Sequence, residues 1–228
     1  MQRPNFGRIL AITCIVGFIA WTAVRSIGAG TATPKFPFPK PEIDAPLAQA
    51  KGKETVVLAG GCFWGVQAVF QHLKGVTSAV SGYAGGHVES PHYEMVSTGL
   101  TGHAESVSVT FDPSQVSYGT ILMVYFSVAH DPTQLNRQGP DTGSQYRSAI
   151  FYSNDQQKDI AIAYVKQLDA AQVYPRKIVT QIAPLKAFYR AEEYHQDYLI
   201  SHSTEPYIVY NDLPKIANLK KAFPQLYR

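Results

Sequence analysis

Val56-Val57-Leu58-Ala59-Gly60-Gly61-Cys62-Phe63-Trp64-Gly65 leads from an uninterrupted apolar stretch, through two glycines, to a cysteine and two large aromatics. A short apolar run bounded by glycines predicts a buried strand, and Val66, Val69, Phe70 and Leu73 at helical spacing predict a helix over residues 65–73. Cys62 then falls at a strand-to-helix turn, where unpaired N–H groups and the helix dipole favour an anion. The expectation is a thiol that loses its proton more readily than usual, the thiolate being the reactive form. The competing reading is a small buried apolar residue, since free cysteines are among the most buried types.

Composition narrows the classes. The 228 residues carry a formal net charge of +3 without any block of like charges, which gives no footprint for nucleic acid. Neither a P-loop nor a dinucleotide fingerprint is present, because Gly82-Tyr83-Ala84-Gly85-Gly86 lacks the required spacing. The two cysteines are Cys14 and Cys62, so the sequence offers no disulfide framework and no zinc-type cluster.

The N-terminus differs in kind from the rest. Arg3 and Arg8 precede an uncharged run over residues 9–24, a positive region followed by an apolar one. The run is short against the roughly 20 residues of a full bilayer span. Gly30 and Ala32 permit cleavage after Ala32, and the alternative is an uncleaved anchor with the arginines inside. Ile12 and Thr13 stand where a lipoprotein site would need small residues before Cys14. The expectation is an exported protein, periplasmic or tethered outside the cytoplasm. Pro34, Pro37, Pro39, Pro41 and Pro46 predict an extended, semi-rigid spacer up to Lys53. The expected organisation is thus 1–32 as signal peptide or anchor, 33–53 as proline-rich linker, and 54–228 as the catalytic domain.

Beyond Lys53, strands are expected over residues 76–83, 105–111, 148–152 and 177–182. Helices are expected over 118–129, 155–171 (capped by Asp155) and 190–202. Such a mixture implies an α/β or α+β domain. Polar clusters fall between these elements. Gly82–Gly86 is followed by Pro91, Tyr93 and Glu94; Gly102-His103-Ala104-Glu105 enters a strand; His130-Asp131-Pro132 precedes a stretch holding Asp141, Gln145, Tyr146 and Arg147. Tyrosine supplies a hydroxyl donor on a rigid ring, and a partly buried carboxyl group holds a proton at neutral pH. A nucleophile, an acid and hydrogen-bond donors are thereby candidates for one pocket.

Five blocks carry a resemblance: Gly60-Gly61-Cys62-Phe63-Trp64-Gly65; Gly82-Tyr83-Ala84-Gly85-Gly86; Gly102-His103-Ala104-Glu105; Asn136-Arg137-Gln138-Gly139 with Asp141 and Gln145-Tyr146-Arg147-Ser148; and Glu193-Tyr194-His195-Gln196. In this order they resemble the A-type methionine sulfoxide reductases, the peptide-methionine (S)-S-oxide reductases. The resemblance implies a two-layer α/β sandwich related to the ferredoxin-like plait, a mixed sheet with helices packed on it. It implies that Cys62 attacks the sulfoxide sulfur and that Glu105 protonates its oxygen. It implies further that Tyr93 and Tyr146 hydrogen-bond that oxygen, that Phe63 and Trp64 receive the S-methyl group, and that Asp141 organises the pocket. His103 and His195 are read as structural. No metal or bound cofactor is implied, the partners being oxidised proteins or free methionine sulfoxide and a thiol reductant, and the protein a monomer.

The chain departs from the family in ways that matter. Many relatives carry resolving cysteines in the C-terminal tail, and here residues 203–228 have none. Ser97, Gln67 and Pro140 stand where relatives often have cysteine, glutamate and asparagine. The expectation is a one-cysteine enzyme whose sulfenic acid is reduced by an external thiol, a thioredoxin-like protein or a small molecule. Two other readings compete: a non-catalytic binder of oxidised methionine, and a cysteine hydrolase pairing Cys62 with His103 or His195.

Overall fold

The computed structural model describes residues 34–228; the candidate leader lies outside the described residues. In chain order the elements are β1 (Glu54–Gly60), α1 (Phe63–Gln71), β2 (Val76–Ala84), α2 (Tyr93–Val96), β3 (Ala104–Phe111) and α3 (Tyr118–Val124). Then come β4 (Arg137–Gln138), β5 (Asp141–Thr142), β6 (Ser148–Tyr152), α4 (Asp155–Ala170), β7 (Gln181–Pro184), β8 (Phe188–Arg190), α5 (Tyr198–Ser201) and α6 (Leu213–Ala222). Six strands form one sheet in the order β7-β6-β1-β3-β2-β8, in which only the β6–β7 pair is parallel. This is the mixed sheet with packed helices that the sequence led us to expect.

Strand alternation sorts the core. Val56 and Leu58 of β1 join Val107, Val109 and Phe111 of β3 in the large cluster packed beneath α1, α3 and α4. Val57 and Ala59 point the other way, into a smaller cluster with Ala84, Ala104, Ala149 and Phe151. Period-two alternation places Glu105 in the same inward row as Val107, Val109 and Phe111. An acid therefore occupies an apolar row, and it is buried there.

Several expected elements are corrected. The helix over 118–129 winds as α only to Val124 and continues as a π-helix over Tyr125–Ala129. Asn154, not Asp155, caps α4, its side chain accepting from the Gln157 N–H at 2.9 Å. The strand expected over 177–182 lies at Gln181–Pro184. The helix expected over 190–202 breaks into the end of β8, one 3₁₀ turn and α5. Tertiary bonds override its helical pattern. Ala191 donates to the Ser81 carbonyl at 2.9 Å, Gln196 bonds both the N–H and C=O of Ser81 at 3.0 Å, and Asp197 takes a left-handed φ of 53°.

The proline-rich segment is extended, as its prolines dictate, but it is no free spacer from residue 35 to 48. Phe38 is buried against the Tyr174 ring, Tyr164 donates to the Pro39 carbonyl, and Gln167 bonds both Lys40 and Glu42. Asp44 accepts from Ser117 and from the Gly119 N–H, at 2.6 and 2.7 Å. These bonds satisfy backbone groups that an isolated spacer would leave to water. Phe38→Ala should therefore lower unfolding stability by about 3–5 kcal/mol, seen as a lower denaturant midpoint at unchanged slope. A free spacer would show no shift.

Candidate active site

Cys62 sits immediately before α1, with φ −52° and ψ 124°, as the helix N-cap. The glycines before and after it are structural necessities. Gly61 has φ +88°, and an added Cβ would lie 2.5 Å from Gln138. A Cβ on Gly65 would collide with the Asp212 carboxyl and come within 2.7 Å of the Lys215 ammonium. The first turn of α1 thus admits both groups of an ion pair that the C-terminal segment lays over it, Lys215 Nζ to Asp212 Oδ1 at 3.0 Å.

Glu105 approaches from below. Its Oε2 accepts from the Phe63 N–H at 3.0 Å, so the first amide of α1 is tied to the inward end of β3. Burial raises the Glu105 pKa to about 8, helped by nearby Asp141 and Asp212 and opposed by the Phe63 N–H. The acid is therefore protonated at neutral pH. The thiol reverses the expectation drawn from the helix terminus. Burial, then Glu105 and Asp212, push the Cys62 pKa well up, and the Trp64 amide and Lys215 pull it back only in part. Desolvation outweighs the dipole here, because the same tight packing that sets the turn removes water from the sulfur.

A cavity of about 100 Å³ is lined by Cys62, Phe63, Trp64, Tyr93, Glu105, Asp141, Tyr146 and Tyr207. All seven residues singled out from the sequence thus meet in one place, and Tyr207 is the eighth. Tyr93 is held by Glu192, which accepts from its N–H at 2.8 Å and from the Tyr83 hydroxyl at 2.7 Å. Tyr146 ends a 3₁₀ turn fixed by the Gln145 side chain bonding the Ser97 carbonyl at 3.0 Å. Tyr207 donates to Asp141 Oδ2, and burial raises the pKa of Asp141 despite that bond. The pKa values of Tyr93 and Tyr146 are likewise raised, burial being the main cause, so both remain hydroxyl donors.

The aromatic wall is assembled by the segment after β8. Trp64 stacks on Tyr198 at 3.8 Å and 8°, and meets Tyr207 edge-on at 6.0 Å. Its indole N–H donates to His195 Nδ1 at 3.2 Å, which makes His195 a positioning residue. His103 is occupied elsewhere, its Nδ1 taking the Gly86 N–H at 3.2 Å and its Nε2 lying 2.8 Å from the Val88 carbonyl. Neither histidine lines the cavity and each ring is bonded to another partner, so the dyad of Cys62 with His103 or His195 is not formed. Tyr207, Asp212, Lys215 and Glu192 were not found from the sequence. No local motif marks them, since each acts across a long chain separation. Among the described residues, no group of three or more His, Cys, Asp or Glu is placed to hold a metal, and no helix is long and apolar enough to cross a membrane.

Residues 54–226 match the family described as peptide methionine sulfoxide reductase. The chain is 65% identical over 178 residues to peptide methionine sulfoxide reductase MsrA 2 of Mesorhizobium japonicum, covering 78% of this chain and 91% of that one. It is 48% identical over 176 residues to MsrA of Thermus thermophilus, covering 77% and 98%. Among solved structures it resembles methionine sulfoxide reductase A of Corynebacterium diphtheriae, with a TM-score of 0.59 and 38% identity over 69% of this chain and 78% of that one. It also resembles reduced Mxr1 of Saccharomyces cerevisiae, with a TM-score of 0.58 and 33% identity over 72% and 92%. The chain belongs to the peptide methionine sulfoxide reductase family, and it is an oxidoreductase that reduces methionine sulfoxide.

The Trp64–His195 bond has an optical consequence. Burial lowers the His195 pKa, so the ring stays neutral, and able to accept, below the usual imidazole range. In a Trp21→Phe, Glu105→Gln double variant, which leaves Trp64 as the only indole and removes the Glu105 titration near 8 from its cavity, emission should stay constant from pH 8 through 6.5 and change only at lower pH. A change centred at 6.5 would mean an ordinary exposed histidine.

Proposed function

We propose that Cys62 and Glu105 carry out the reduction of methionine S-sulfoxide, protein-bound or free, through a sulfenic acid on Cys62. The observation that carries this reading is the burial of a neutral acid and a thiol in one cavity walled by Phe63 and Trp64. The S-methyl group would lie against the two aromatics, which offer apolar area without unpaired polar groups. The sulfoxide oxygen would accept from Tyr93 and Tyr146, with Glu105 as the proton source.

Cys62 Sγ forms a bond to the sulfoxide sulfur while Glu105 transfers its proton to the oxygen. The oxygen passes to Sγ as methionine departs, and the thiol proton restores Glu105. Cys62–SH and a sulfoxide thus become Cys62–SOH and a thioether, one rung up the oxidation ladder for the enzyme. A protonated oxygen is a far better leaving group than a bare one, and a positioned acid contributes typically about 10²–10⁴-fold. Asp141 and Tyr207 close the cavity beside the reacting sulfur.

Cys62 is the free cysteine among the described residues, so the sulfenic acid needs an outside thiol, from a thioredoxin-like protein or a small molecule. The enzyme requires no bound cofactor in this scheme and acts as a monomer. Arg3, Arg8 and the apolar run after them support export, to the periplasm or to a membrane tether outside the cytoplasm. The N-terminal residue of protein isolated from its host checks this. Cleavage after Ala32, or Met1 intact in the membrane fraction, is expected, whereas Met1 intact in a soluble cytosolic pool refutes export.

The chemistry is tested by single turnover without added reductant. Near-stoichiometric methionine and a trapped sulfenic acid on Cys62 are expected; bound sulfoxide with no methionine would make the protein a binder. Cys62→Ser should abolish the burst. Glu105→Gln should slow it by about 10²–10⁴-fold. In the wild type the rate should fall as pH rises through about 8, where Glu105 loses its proton, and that limb should vanish in Glu105→Gln. The sign for stability is the same: a carboxyl with a raised folded pKa binds more protons folded than unfolded, so stability falls as pH rises from 4.5 toward 8.

A further inference from the structure

Cys62 opens on a second cavity besides the one that holds the acid. This cavity, of about 300 Å³, is lined by Cys62 together with His130, Gln138, Asp141, Tyr207, Lys215 and Asn218 among others. The two cavities share Cys62, Asp141 and Tyr207 and otherwise differ completely. Glu105, Tyr93 and Tyr146 belong only to the smaller one. The larger one mixes apolar and polar wall and carries groups of both signs. Lys215, paired with Asp212 at 3.0 Å, brings an ammonium to the wall and Asp131 and Asp141 bring carboxyl groups, Asp141 accepting from Tyr207, while burial lowers the His130 pKa to about 4 and leaves that ring neutral.

We infer that the larger cavity is the binding site of the resolving thiol, and that its occupant is a small zwitterionic thiol of the amino-acid or short-peptide type. The inference rests on the sulfenic acid chemistry proposed above. Displacement at a sulfur atom brings the incoming nucleophile in opposite the departing group. The oxygen on Cys62 arrives through the cavity that holds Glu105, and it leaves there as water with a proton from that acid. The incoming sulfur then approaches from the other side, and the larger cavity is the space that adjoins Cys62 without those oxygen-holding groups. With Cys62 the free cysteine among the described residues, that sulfur is foreign to the domain. The volume sits at the small end of the range for small-molecule sites, about 300–1,000 Å³, and mixed charge suits an ammonium and carboxylates together.

Two exchanges complete the cycle. Cys62–SOH and RSH give the mixed disulfide Cys62–S–SR and water. A second RSH then attacks to give Cys62–SH and RSSR, so two thiols are oxidised for each sulfoxide reduced.

Asn218 lies exposed on α6, one turn beyond Pro214 on the same face, at the mouth of this cavity. Asn218→Trp should narrow the mouth without touching the acid cavity, with Asn218→Ala as its control. Full-length protein is first converted to the sulfenic acid with one equivalent of methionine S-sulfoxide, then mixed with glutathione as probe, and with reduced thioredoxin in a parallel arm. In the wild type a Cys62–glutathione mixed disulfide should appear by mass, with a rate that saturates in glutathione. In Asn218→Trp that rate should fall at least tenfold while the methionine burst is unchanged, and Asn218→Ala should resemble the wild type. An unchanged glutathione rate in Asn218→Trp, or resolution of the wild type by thioredoxin alone, would overturn the assignment. A burst slowed as much as the resolving step would overturn it too, by showing a general disturbance. Absence of any methionine burst in the wild type would instead remove the catalytic reading beneath it.

Discussion

The hydrogen bond from the Phe63 N–H to Glu105, 3.0 Å long and buried, joins the first turn of α1 to the inward row of β3. Sequence places its partners 42 residues apart. Once formed, it fixes Cys62 on one side of the cap and the two aromatics on the other. The bond also settles which oxygen of Glu105 is occupied, since Oε2 accepts from the backbone and Oε1 remains for the cavity. A free helix N–H is a natural partner for a carboxylate. Here it is not enough to ionise the acid, because burial costs more than one amide returns. The same balance holds at the thiol. An N-terminal helix position alone suggests an acidic cysteine, yet water has been excluded to the point where desolvation wins.

That exclusion of water depends on the last third of the chain. Tyr198 and Tyr207 pack on Trp64, His195 fixes its indole nitrogen, and Asp212 with Lys215 fills the space that Gly65 leaves open. Gln67 is part of the same joint. Its side chain accepts from the Asp197 N–H at 3.0 Å and donates to the Ala79 carbonyl at 3.1 Å, binding α1 to both the sheet and the returning segment. An ionisable glutamate in its place would lose that donor. The glutamine is thus explained by bonding on both sides of one amide.

How much of this was readable in the sequence follows from the range over which each residue acts. β1, β2, β3 and β6 were legible because alternation and apolar runs are local signals, and the Gly-Gly-Cys turn was legible because a positive φ at Gly61 demands glycine. Glu105 could be recognised as inward-facing from its place in the row with Val107, Val109 and Phe111. Its neutral state could not, since that needs the burial supplied by other segments. The 190–202 stretch misled because its helical pattern is real, while Gln196 and the β2–β8 pairing bend it into another shape. Tyr207, Asp212 and Lys215 were invisible for a plainer reason: one tyrosine among 14 carries no local mark of the pocket it closes.

Charge at the centre shows why such a site is costly to hold together. Glu105, Asp141 and Asp212 all bear on Cys62 or on each other, and Lys215 is the cation that the structure sets among them. Three ionised carboxyl groups and a thiolate around one ammonium would repel strongly in a medium that screens poorly. The fold resolves this by keeping protons on the site. Glu105 is neutral, the thiol is neutral, and Asp141 is pushed upward even while it accepts from Tyr207. An uncharged nucleophile and an uncharged acid are the forms that a buried site of this kind tolerates at least cost. In the scheme proposed above, reactivity is deferred until a sulfoxide oxygen arrives to take the Glu105 proton, which would couple attack by sulfur to the presence of the substrate.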